Sequence, residues 1–257
     1  MMKKIGVIGL GLIGGSIFKT LSETGKYDLV GVSRTVKGVN ISNDYNLLSD
    51  CDVVFVCVPM NKTLEILDKL ENHVSENTVV TDVCSLKRFV SDKKYSYKFI
   101  PSHPMAGTEN KGWEASFSGL FKGAKLMITP IGGEILPEQE ILETIIEDMD
   151  AKVVITAPDE HDKAAALISH MPMVVAQALC QNIKNNNLAQ IMASSGFKDT
   201  TRLALSNTEM ADDMVRMNKD NIFEAVNSLN ACLNNLLESN YKTEAESIKN
   251  FRKNLYD

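Results

Sequence analysis

Three stretches of this chain carry residues able to do chemistry. The first is KKIGVIGLGLIGGS, Lys3 to Ser16, with Gly9, Gly11 and Gly14 in G-x-G-x-x-G spacing. In such a unit Gly9 permits the sharp turn that leaves a strand. Gly11 lacks a Cβ, so a pyrophosphate can approach the backbone, and Gly14 lets helix and strand pack closely. The following helix start presents free N–H groups and a positive dipole end to a phosphate. The second stretch is Ser33-Arg34-Thr35, roughly where dinucleotide-binding units place the residue that reads the ribose 2′ position. A carboxylate there repels a 2′-phosphate, whereas a hydroxyl and a guanidinium can bind one. NADP is therefore expected over NAD, the alternative being that Arg34 is a solvated loop residue. The third is Pro101 to Glu109, PSHPMAGTE, where a histidine between two prolines, followed by glycine, is expected on a stiff, exposed loop.

The elements around these stretches predict an α/β unit with a Rossmann-type, doubly wound, mostly parallel sheet, followed by an all-α domain. The run Ile5 to Ile8 reads as a strand, and Ile13, Ile17, Phe18 and Leu21 follow at helical spacing. That is the context a glycine motif needs; alone it is weak, and a ligand-free glycine-rich turn is its alternative. Asp28 to Val32 is the second strand. Val36 to Asp50 is too short and polar for a full crossover helix. Asp52 to Val58 is a continuous apolar run, as a strand covered on both faces should be. Thr63 to Leu70 is a helix with Leu64, Leu67 and Leu70 on one side, and Thr78 to Val83 and Lys98 to Ile100 are further strands. The sheet is expected to finish with Lys125 to Thr129, followed by a helix over Pro137 to Met149 and a strand over Lys152 to Ile155. Ligands of such sheets gather at the carboxyl ends of strands, which is where Pro59 and Ser85 fall. From Pro158 the pattern turns helical, giving expected domains of 1–157 and 158–257. Leu167, Ile168, Met171, Val174, Val175, Ala178 and Leu179 are too many apolar residues for one thin layer, so two copies are expected to pack their helices together.

Composition narrows the partners. A net charge of −6 argues against nucleic acid. The five cysteines are odd in number and form no C-x-x-C, which suits free thiols in a reducing cytoplasm. The first residues run straight into a core strand, leaving no room for a signal peptide. No apolar run approaches the roughly 18 residues of a membrane span. No His/Cys/carboxylate spacing suggests a metal.

Taken together, GLGLIGGS at Gly9–Ser16, TDVCSLK at Thr81–Lys87, SHPMAGTE at Ser102–Glu109, DEHDKAAALISHMP at Asp159–Pro172 and SSGFKDTTR at Ser194–Arg202 resemble the prephenate/arogenate dehydrogenases of tyrosine biosynthesis. The resemblance implies a nucleotide domain, a helical domain that forms a homodimer, and NAD(P)-dependent oxidation of a cyclohexadienyl C4 alcohol with loss of carbon dioxide. Prephenate or arogenate would be the substrate, and 4-hydroxyphenylpyruvate or tyrosine the product. That reaction needs a base for the hydroxyl proton, a cation for a carboxylate, and a hydride acceptor against the ring.

On this reading His103 is the base, and Ser85 orients it or the substrate hydroxyl; for Ser85 a helix N-cap role is the alternative. Arg202, whose planar fork matches a carboxylate, is the clamp, with a surface ion pair as the alternative. By resemblance Glu109, Asp199 and Arg202 form an ionic gate and Thr108 touches substrate. The dinucleotide would lie on Gly9, Gly11, Leu12, Ile13 and Gly14. Ser33, Arg34, Thr35, Val58 and Pro59 complete the expected cofactor set. On a straight helix His161 and His170 are half a turn out of phase and cannot both face one site. The resemblance favours His170 as substrate-facing, leaving His161 structural; His73 is expected as a solvated helix-end residue.

Two positions depart from the family pattern: Met173 and Ala211 stand where several prephenate-preferring relatives carry histidine and tryptophan, which makes an arogenate-accepting or dual enzyme plausible. No regulatory domain is expected after Asp257, so feedback by tyrosine, if any, is expected to act at the active site. Two other readings remain. A β-hydroxyacid-type dehydrogenase would rely on a lysine such as Lys163 but leaves the His103 loop unexplained. A non-catalytic NADP(H)-sensing dimer needs no His103 and Arg202 together.

Overall fold

In a computed structural model, which describes residues 2–108 and 110–256, the chain divides into two units. Unit 1 comprises Met1–Ala165 and Leu205–Met217; unit 2 comprises Ala166–Ala204 and Asn218–Asp257.

Unit 1 begins with β1 (Lys3–Ile8), α1 (Leu12–Thr24) and β2 (Tyr27–Val32), then a two-residue β3 (Ile41–Ser42) and a 3₁₀ turn (Tyr45–Leu48). No α-helix forms between β2 and β4 (Val53–Val56), as the short polar segment predicts. α2 (Met60–Leu70), β5 (Val79–Asp82), the short α3 (Arg88–Ser91) and β6 (Lys98–Phe99) follow. The six strands form one parallel sheet in the order β3-β2-β1-β4-β5-β6. The continuous apolar run of β4 is explained by period-two alternation. Val53 and Phe55 enter the core beneath α1, with Ile17 and Leu21, while Val54 and Val56 enter the opposite core with Leu67 and Leu70 of α2.

The sheet does not end with Lys125–Thr129 as expected. β7 (Ser102–Pro104), β8 (Lys125–Ile128) and β9 (Lys152–Ile155) form a separate three-stranded sheet, with β7 antiparallel to β8. Pro101 lies between β6 and β7 and has no N–H to continue the ladder. Its carbonyl instead accepts the N–H of Thr129 at 3.0 Å, which turns the chain onto the second sheet. α4 (Gln139–Asp148) covers this region through Leu142, Ile145 and Ile146. On α2 the buried stripe is Met60, Thr63, Leu67 and Leu70; Leu64 lies outside it and is exposed.

α5 (Pro158–Ala165) and α9 (Thr208–Met217) complete unit 1, with Met214 packed among Met60, Cys84 and Leu86. Unit 2 holds a π turn (Ala166–His170), α6 (Met171–Asn182), α7 (Asn187–Met192), α8 (Ser195–Thr200), α10 (Lys219–Glu238) and α11 (Tyr241–Asn254), while a 3₁₀ turn (Arg202–Leu205) follows α8. Its small core is Ala166, Ile222 and Ala225 with Met171, Val174 and Val226. Leu188, Ile191, Met192, Phe223 and Phe251 remain exposed. One helical stretch, Pro158–Asn182, is long and apolar enough to cross a membrane by length and composition, against the expectation that none would be; 28% of its apolar window is buried.

Candidate active site

The glycine turn has the geometry its spacing predicts. Gly9 has φ +85°, and a Cβ there would fall 2.3 Å from the Cys57 carbonyl oxygen. A Cβ on Gly14 would fall 2.1 Å from the Gly9 carbonyl oxygen, so both positions exclude side chains for the sake of the fold. Gly11 differs. It has ordinary extended angles, caps α1, and a Cβ there would meet nothing within 4 Å. The open space in front of Gly11, at the start of a 13-residue helix, fits a dinucleotide pyrophosphate. Leu12 and Ile13 open the helix, and Val58 and Pro59 sit at the carboxyl end of neighbouring β4, on the same edge of the parallel sheet. A cleft of about 490 Å³ lined by Lys3, Tyr27, Asp52 and Val79 lies at the opposite, amino-terminal strand ends, away from this turn.

At the end of β2, Ser33 Oγ accepts the backbone N–H of Val36 at 3.0 Å and of Thr35 at 3.3 Å, closing a tight turn. Arg34 is exposed and pairs with no carboxylate among the described residues. Its charge reaches Tyr45, where it opposes the rise that burial imposes on the phenol. His73 is half-buried rather than solvated, with its ring centroid 5.5 Å from that of Tyr45.

The turn after β5 and strand β7 are bound together by a buried polar network. Asp82, fully buried, accepts the backbone N–H of Cys84 at 2.9 Å and of Ser102 at 3.3 Å, and forms an ion pair with the equally buried Lys87. Lys87 Nζ also donates to the Ser102 carbonyl at 2.6 Å. Thr81 Oγ1 donates to Ser102 Oγ, which donates to the Asp82 carbonyl. Burial and the Asp82 charge push the Cys84 thiol up to about 12, so it packs and does not react.

His103 follows Ser102 and is therefore tied to the carboxyl end of β5. It is half-buried on the edge strand β7, opposite Met127, and not on an exposed loop. Edge strands tolerate proline, which is why Pro104 did not prevent strand formation. His103 Nδ1 lies 2.9 Å from His161 Nε2, and His161 Nδ1 lies 2.8 Å from Asp162 Oδ1. Asp162 in turn accepts the backbone N–H of Lys87 at 2.8 Å and of Arg88 at 3.0 Å. Asp162 thus caps the start of α3, the role considered for Ser85, which sits half-exposed in the turn between Cys84 and Leu86. His161, expected to be structural, bonds the proposed base directly. The adjacent His-Asp pair at a helix start was the one local signal for it.

The straight-helix premise for His161 and His170 also fails, because the π turn Ala166–His170 lies between them and its wider i→i+5 bonding changes the phase. His170 is buried, with Nδ1 3.1 Å from Asn218 Nδ2. Also in unit 2, Asp199 lies in the last turn of α8 and Arg202 opens the 3₁₀ turn; both are exposed and do not pair with each other. Thr108, in unit 1, is exposed and its Oγ1 accepts the N–H of Asn110 at 3.3 Å. Glu109 lies outside the described residues. Lys163 pairs with Glu160 at 3.1 Å on an exposed face. Met173 and Ala211, the two departures, are buried.

Known proteins match along the whole chain. A family model described as prephenate dehydrogenase, nucleotide-binding domain, matches residues 31–155, and one described as prephenate dehydrogenase, dimerization domain, matches residues 157–255. The prephenate dehydrogenase of Lactococcus lactis is 27% identical over 272 residues, covering 97% of this chain and 75% of the relative. The crystal structure of Synechocystis arogenate dehydrogenase is 31% identical with a TM-score of 0.80, covering 98% of this chain and 96% of that one. That of Aquifex aeolicus prephenate dehydrogenase, in complex with hydroxyphenyl propionate and NAD+, is 28% identical with a TM-score of 0.83, covering 100% and 96%.

Proposed function

The chain belongs to the prephenate/arogenate dehydrogenase family, and from that premise we propose that it catalyses the NAD(P)-dependent oxidative decarboxylation of prephenate and/or arogenate in tyrosine biosynthesis. The observation that carries this reading is His103, anchored through Ser102 to the carboxyl end of β5, the same end of the parallel strands at which the glycine turn follows β1. A dinucleotide held at the Gly9–Gly14 turn would supply the hydride acceptor for the substrate C4 carbon. His103 takes the C4 hydroxyl proton as the hydride departs, which gives a ring ketone; the ring carboxylate then leaves as carbon dioxide, its electron pair aromatises the ring and passes onto the C4 oxygen, and the proton held by His103 returns there to give the phenol. Ser85, in the turn beside the Asp82 network, orients the hydroxyl. Aromatisation drives the step, so holding the groups in place is the main work of the protein.

The family resemblance assigns Arg202 to a substrate carboxylate, Asp199 and Glu109 to an ionic gate, and Thr108 and His170 to substrate contacts. Arg34, with no carboxylate partner among the described residues, supports NADP over NAD, since its guanidinium can take the 2′-phosphate. The helical half from residue 158 serves substrate binding and dimerisation. The support is the exposed apolar set Leu188, Ile191, Met192 and Phe223, beyond what a soluble monomer surface usually leaves bare. The same apolar demand accounts for the long apolar helix, and the protein is cytoplasmic on this reading.

The test is turnover of prephenate and arogenate with NADP+ and NAD+, followed by the absorbance of the reduced nicotinamide. His103→Asn is expected to lose kcat by roughly two to four orders of magnitude with little change in dinucleotide affinity. Near-normal turnover by that variant removes His103 from the mechanism, and a clear preference for NAD+ defeats the assignment of Arg34.

A further inference from the structure

We propose that His161 and Asp162 are positioning residues that hold His103 in the tautomer whose Nε2 bears the lone pair; this rests on the reading of His103 as the proton acceptor. The hydrogen bonds fix the assignment from one end. Asp162 accepts two backbone N–H groups, from Lys87 and Arg88, as an acceptor-only carboxylate. His161 Nδ1, 2.8 Å from the same carboxylate, must therefore carry a hydrogen. A neutral His161 then offers Nε2 as an acceptor. That nitrogen lies 2.9 Å from His103 Nδ1, which must donate. The lone pair of His103 is left on Nε2, the ring nitrogen not bonded to His161. The two rings meet edge-on, with planes at 70° and centroids 5.1 Å apart, which is compatible with a ring N–H directed at a ring nitrogen.

Burial makes the arrangement consequential. His161 and Asp162 are each 4% exposed, so water does not readily replace His161 as the partner of His103. Asp162 alone suffices to cap α3 and to tie α5 to the turn after β5. His161 adds nothing to that anchoring, and its second nitrogen is spent on the base. When His103 Nε2 takes the substrate hydroxyl proton, its Nδ1–H stays in place and the bond to His161 becomes charge-assisted. This is the logic of a carboxylate-oriented catalytic histidine, with a second imidazole interposed.

The test compares His161→Phe with His161→Gln in the full chain. Phe fills the site without an acceptor. Gln can accept from His103 Nδ1 through its carbonyl and donate to Asp162 through its amide. The other charged groups around the pair are Asp162 on α5, the Asp82–Lys87 pair after β5, and the Arg88–Asp159 pair, and both variants leave them in place. His161→Phe is expected to lower kcat on the order of tenfold or more. It should also move the acidic limb of the kcat/KM profile to lower pH, because a protonated His103 has lost its acceptor, while dinucleotide affinity is kept. His161→Gln is expected to keep kcat within about threefold of wild type, a partial loss against the full effect of a missing acceptor. A folded His161→Phe with unchanged kcat and pH profile overturns the proposal, as does a folded His161→Gln no better than His161→Phe. If His103→Asn loses turnover while His161→Phe does not, only this proposal falls. If His103→Asn keeps turnover, the base assignment falls and this proposal with it.

Discussion

Gly11→Ala separates ligand from fold at the glycine turn. Gly11 has φ −83° and ψ −152°, angles open to alanine, and an added Cβ would meet no protein atom within 4 Å. Alanine is a poorer N-cap than glycine by roughly 0.5–1 kcal/mol, but it also restricts the unfolded chain by about 0.4–1 kcal/mol. The two effects nearly cancel, so Tm should move by no more than about 4 °C. Binding should not be spared. A methyl group in the pyrophosphate cradle displaces the phosphates from one or two backbone donors. Charge-assisted bonds of that kind are worth about 1.5–3 kcal/mol each, so Kd should rise at least roughly tenfold. Gly14→Ala is the control in the opposite sense. Its Cβ would stand 2.1 Å from the Gly9 carbonyl oxygen, and α1 must shift to relieve the contact. Overpacking of this sort costs about 1–3 kcal/mol, read as lost stability. Titration calorimetry with NADP+ and NAD+, beside thermal melts, gives both quantities. A Gly11→Ala protein that melts normally and binds both dinucleotides as tightly as wild type refutes the assignment of the turn.

Three further outcomes follow from the same geometry. Lys87→Met should lower stability by about 3–5 kcal/mol in urea denaturation, because it leaves Asp82 charged and unpaired in a site with no solvent exposure; adding Asp82→Asn should recover part of the loss, and a neutral single substitution would refute the pair's role. Arg202→Ala should raise KM for the substrate strongly with a smaller change in kcat, and an unaltered KM refutes the clamp. Cys51 and Cys84 are buried, which pushes both thiols up to about 12, so they should resist a thiol reagent at neutral pH until the protein is unfolded. Fast modification of either of them in the native protein would contradict the packing around β4 and β5.

What could be read from the sequence was local, and what could not was long-range. The glycine turn was legible because its three positions answer to constraints within one strand–turn–helix unit. The β4 run was legible because a strand covered on both faces must be apolar throughout. The second sheet was not, since nothing in Lys125–Thr129 says which partner it takes; that choice is made at Pro101, where a missing N–H ends one ladder and a carbonyl starts another. Helical periodicity failed at Ala166–His170, because a π turn looks like any other apolar helical segment and yet resets the phase of every residue after it. The histidines show the cost of reading residues by their own element. The place of His161 on α5 says nothing of its partner, which is 58 positions earlier on a strand where the two prolines around His103 read as a loop. The same carboxylate that orients His161 caps α3 from 75 residues away. A single buried side chain thus couples the turn that carries Ser85 to the imidazole behind His103. A substitution at Asp162 would therefore disturb fold and chemistry together, which is why His161, bonded to the base and not needed for the cap, is the position where the two can be told apart.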